Sequence, residues 1–155
     1  NWEEAKMTLN QEEMSRVSMI FGFLLREHKK LETFLKSYAS GMVLFSKTDI
    51  HLRLEVNAFD EFFKALKEAL FIFGDWDRVN DIKEAVRKQF SKLGDFKELE
   101  QTMDLGISLD QDAAHQKVHN ITLTGVAAIK LYCDFYLHMK ANEYFDKLKG
   151  EGKDI

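Results

Sequence analysis

The chain has 155 residues, with 22 Lys and Arg against 26 Asp and Glu, no Pro, one Cys and thirteen Phe. That length suits a single domain, spanning 1–155, that buries roughly 70% of its unfolded surface, and an apolar content of 45% argues against global disorder. One cysteine excludes a disulfide-stapled scaffold, the short apolar runs fall well below the roughly twenty residues of a membrane span, and a net charge of −4 gives no support to nucleic-acid binding.

The absence of Pro favours long uninterrupted helices, because a helical Pro removes a hydrogen bond and clashes with the preceding turn. The first residues, Asn1-Trp2-Glu3-Glu4, do not form a signal peptide. Since Asn1 is not Met, the chain is expected to be trimmed or excised, with a lost leader left open. The expected location is cytoplasmic.

Four helical segments can be read in order. The first spans about Gln11 to Phe45, opened by the capping-box spacing Thr8-Leu9-Asn10-Gln11. Met14, Val17, Phe21, Leu24, His28, Leu31, Leu35, Tyr38, Met42 and Phe45 recur at alternating steps of three and four, the heptad seam of a coiled coil. Gly41 is the expected kink or stop. The second segment starts near Thr48-Asp49 and ends at Gly74. Its wide apolar stripe, including Phe59, Phe62, Phe63, Leu66 and Leu70, predicts a helix deep in the core. The third begins at Asp75 or Asp77 and carries Ile82, Val86, Phe90 and Leu93, with a break at Gly94-Asp95 and a short piece holding Phe96, Leu99 and Met103. The fourth starts at Ser108-Leu109-Asp110-Gln111 and stops at Gly150. Ile121-Thr122-Leu123-Thr124-Gly125 is its weak point, since β-branched residues and Gly disfavour helix.

Short connections between long helices usually make antiparallel neighbours. The expected fold is therefore all-α: an up-down-up-down antiparallel bundle of four main helices, with a kink or extra short helix near 94–105 and 120–125. The uneven helix lengths point to a homodimer or a stable partner protein.

Standard catalytic signatures are missing: there is no phosphate loop, no Gly-x-Gly-x-x-Gly, no nucleophile elbow and no His-Glu-x-x-His. Cys133, in the middle of an apolar helix, reads as a core thiol. The candidate site is a histidine group. His115 and His119 are four apart and would share one helix face, with Asp112 a turn earlier. His51 and Glu55 have the same spacing on the second segment, and His51 should lie level with His115. Two or three imidazoles with a carboxylate suit zinc, nickel or iron. Over His51, His115 and His119 alone, the layout resembles the three-histidine arrangement of DinB-like four-helix proteins, but Asn120-Ile121-Thr122 departs from that pattern. His28 occupies a seam position with Glu32 one turn on and is expected to be a core histidine. The cluster Phe59, Phe62, Phe63, Phe71, Phe73 and Trp76 is expected to be mainly core.

The leading expectation is a non-enzymatic helical-bundle protein acting through protein–protein contacts as an adaptor, regulator or assembly subunit, and a homodimer. The alternative is a metal-dependent bundle enzyme or metal sensor, holding a divalent transition metal through His51, His115 and His119 with Glu55 or Asp112. A weaker alternative is a helical dimer on membrane surfaces, disfavoured by the negative net charge.

Overall fold

The computed structural model describes residues 11–91, 96–112 and 121–152. They form six α-helices and, among the described residues, no strand: α1 (Gln11–Arg26), α2 (Glu32–Lys47), α3 (Glu55–Ile72), α4 (Ile82–Phe90), α5 (Phe96–Asp112) and α6 (Leu123–Gly150). The all-helical expectation stands, but six helices replace the four long segments. The chain divides into two compact units, Lys30–Tyr136 and a second drawn from Asn1–Lys29 and Leu137–Ile155. Residues 123–136 of α6 belong to the first unit, and residues 137–150 to the second.

In the larger unit, α2 and α3 pack closely as a helix hairpin. The first predicted helix does not run through to Phe45. It stops at Arg26, turns through 27–31, and restarts at Glu32. Gly41 is not the break. It sits in an unbroken α2 because the Phe62 ring lies against its backbone, where a Cβ would come within 2.9 Å of the ring carbons. Tyr38 meets the same ring edge-on, with centroids 5.5 Å apart.

The predicted start of the second helix at Thr48-Asp49 is corrected to Glu55, because both residues are used in the connection. The Thr48 hydroxyl donates to the Leu44 carbonyl at 2.8 Å, closing α2. Asp49 Oδ1 accepts the backbone N–H groups of His51 and Leu52, each at 2.7 Å. This is an Asx-type turn, in which a short carboxylate replaces a backbone acceptor.

Helix α3 is buried along most of its length, as its stripe predicts. Ala58, Phe59, Phe62, Phe63, Ala65, Leu66, Ala69 and Leu70 are all core. The helix ends just before Gly74, whose φ of +76° suits a residue without a Cβ. Asp77 then accepts backbone N–H bonds from Val79 at 2.9 Å and Asn80 at 2.8 Å. Neither Asp75 nor Asp77 begins the next helix. Asp81 does, as the N-cap of α4, by accepting from the Lys83 N–H at 3.0 Å.

Ile82, Val86 and Phe90 of α4 are buried as expected, while Leu93 lies outside the described residues. Helices α4 and α5 are bridged by Lys83–Asp104 at 2.7 Å and Arg87–Glu100 at 2.5 Å. Residue numbers rise on one helix as they fall on the other, so the pair is antiparallel. The expected short piece near Leu99 is instead a helix of 17 residues. Its buried stripe of Leu99, Met103 and Gly106 carries it past Ser108, so the capping-box spacing there lies inside a helix rather than at its start. Gly106 passes the Phe63 ring so closely that a Cβ would come within 2.7 Å of it.

The predicted weak point at 121–125 is a true helix start. The Thr122 hydroxyl accepts the Gly125 N–H at 3.2 Å, and α6 begins at Leu123. Its first half closes the larger unit. Phe90 packs against Tyr132 and Tyr136, and Cys133 is fully buried with its Sγ donating to the Phe62 carbonyl at 3.3 Å.

In the smaller unit, α1 packs through Phe23, which is buried and meets the Tyr144 ring at 5.7 Å. The Arg26 guanidinium lies 5.7 Å from the same ring. His28 is not a core residue. It is exposed in the turn after α1, because the helix has ended before the seam reaches it.

Candidate interaction surface

Helix α1 is apolar on two sides. Its inward side carries Phe23, with Met19 and Ile20 half-buried. On the opposite side stand Met14, Val17, Phe21 and Leu25, which are 57%, 64%, 62% and 63% exposed. At 3.6 residues per turn, steps of three, four and four keep these four residues on one face. They include the first three residues of the predicted seam. The spacing is therefore real; this part of the seam faces outward, and a different residue, Phe23, anchors the helix. Scattered exposed apolar residues are ordinary; four large ones aligned along one helix are the mark of a contact surface.

The sequence charges are polarised along the same helix. In the sequence, Glu12 and Glu13 stand within its first three residues and Arg26 in its last turn, with Lys29 beyond its end. Both placements suit the helix dipole. Arg26 is engaged over Tyr144, away from the exposed face.

Polar chemistry is concentrated in the larger unit. Asp134 accepts from the Tyr38 hydroxyl at 2.6 Å and from Lys130 Nζ at 2.7 Å. Burial and the neighbouring carboxylate push the Tyr38 phenol above its ordinary value, so it stays protonated and donates. Burial, aided by Asp134, also raises the Cys133 thiol. The thiol is kept neutral and enclosed, the reverse of the exposed, cation-flanked setting that activates a nucleophile. This network joins α2 to α6, and the expectation that Cys133 is a core thiol stands.

A cleft of about 620 Å³ lies beside the α3–α4 connection, lined in part by Asp75, Trp76, Asp77, Asp81 and Glu84. Its carboxylates largely serve the loop itself. Asp77 holds the turn, Asp81 caps α4, and Asp75 accepts from the Tyr136 hydroxyl at 2.5 Å. Trp76 donates its indole N–H to the Asn80 carbonyl at 2.8 Å. Of the aromatic cluster, Phe59, Phe62 and Phe63 are core, whereas Phe71 is exposed beneath the Arg78 guanidinium, 3.9 Å from its ring centroid. Arg78 also pairs with Glu68 and holds a φ of +67°, so these contacts fix an uncommon backbone conformation.

The candidate metal ligands separate as follows. His51 is exposed in the α2–α3 connection rather than on a helix. Glu55 opens α3, and its carboxylate accepts from Arg53 Nε at 2.7 Å. Its own backbone N–H and the Arg53 guanidinium hold it below the usual carboxylate range. His51 and Glu55 therefore do not share a helical face. Asp112 is the last residue of α5. His115 and His119 lie outside the described residues. Among the described residues, no group of three or more His, Cys, Asp or Glu is placed to hold a metal ion. No helix there is long and apolar enough to cross a membrane.

The sequence signals this surface only in part. The heptad spacing of Met14, Val17 and Phe21 marks an apolar helix face, but not whether that face is turned into the fold or out of it. No protein family, curated protein or solved structure matches the chain.

Proposed function

We propose that the protein acts through protein–protein contact, with α1 as its docking helix. One observation supports this reading above the others: Met14, Val17, Phe21 and Leu25 form an exposed apolar face opposite the side that anchors α1 through Phe23. Burying such side chains is worth about 1.5–3 kcal/mol each, so another helix laid along this face would gain substantially. Helix-in-groove and helix-on-helix docking use this spacing. The reading treats the chain as a non-enzymatic adaptor, regulator or assembly subunit.

The test places a photo-crosslinking phenylalanine at position 21 and irradiates cells making the protein. A covalent adduct to a polypeptide is expected, and it should disappear when Leu25→Glu is added. Absence of any polypeptide adduct would overturn the proposal.

A further inference from the structure

We draw no further inference here: the strongest candidate, the exposed apolar face of α1 formed by Met14, Val17, Phe21 and Leu25, carries nothing beyond the docking role already proposed, because nothing in the structure shows what covers it.

Discussion

Glycine has opposite meanings at different places in this chain. Gly41 and Gly106 are helix-interior residues whose missing side chains make room for the Phe62 and Phe63 rings. Both rings are buried, so room for a Cβ would have to come from shifting packed core side chains. Gly41→Ala should therefore lower stability by about 1–3 kcal/mol through overpacking, despite the better helix propensity of Ala. Gly125 is the control, because a Cβ there would meet Ile121 and Thr122 at ordinary distances of 3.6 and 3.7 Å. Gly125→Ala should raise stability by up to about 1 kcal/mol. Denaturant melts of the two variants would check the opposed signs; a stabilised Gly41→Ala would mean that the Phe62 contact is not confining. Sequence alone ranks both glycines as helix weak points. Only the facing ring separates them, and that ring lies 21 residues away in the chain, since 62 − 41 = 21.

At the scale of elements, the connections are organised by carboxylates that accept backbone N–H groups. Asp49 and Asp77 each accept two, and these bonds hold both carboxyls below their ordinary value of 3.8. A carboxylate depressed in the folded state adds stability that is present above its unfolded value. That stability is lost as pH falls through the lower folded value. The chain should therefore lose stability below about pH 4, where the unfolded carboxyls take up protons before those held in the turns do. Asp77→Asn keeps an acceptor for the turn but cannot titrate. Thermal melts at pH 5 and pH 2.5 should show a smaller acid-induced drop in this variant than in the wild type; equal drops would remove Asp77 from the account. These turns also explain where sequence reading placed boundaries too early. Thr48-Asp49 and Asp75 to Asp77 look like helix starts, because cap residues and turn residues are the same short polar side chains. What distinguishes them is which N–H they accept.

At the scale of the molecule, the larger unit holds most of the buried aromatic side chains, including Phe34, Phe59, Phe62, Phe63, Phe90 and Tyr136. Helix α1 is anchored in the smaller unit through one fully buried ring, Phe23. Hydrogen exchange should accordingly be slowest in α3 and in residues 129–136 of α6, and faster in α1. Equal protection of α1 and α3 would contradict this division. The sequence by itself determined the helical class, the burial of the α3 stripe and of Cys133, the stop at Gly74, and the weak point at 121–125. Those features follow from side-chain periodicity and local backbone preference, which act within a few residues. Only the tertiary structure decided that the chain turns at 27–31, that Gly41 continues its helix, and that the seam of α1 faces outward. Periodicity states that a helix has an apolar face; which face is covered depends on side chains brought from distant parts of the chain. Phe23 found Tyr144, and Met14, Val17, Phe21 and Leu25 were left exposed on the other side.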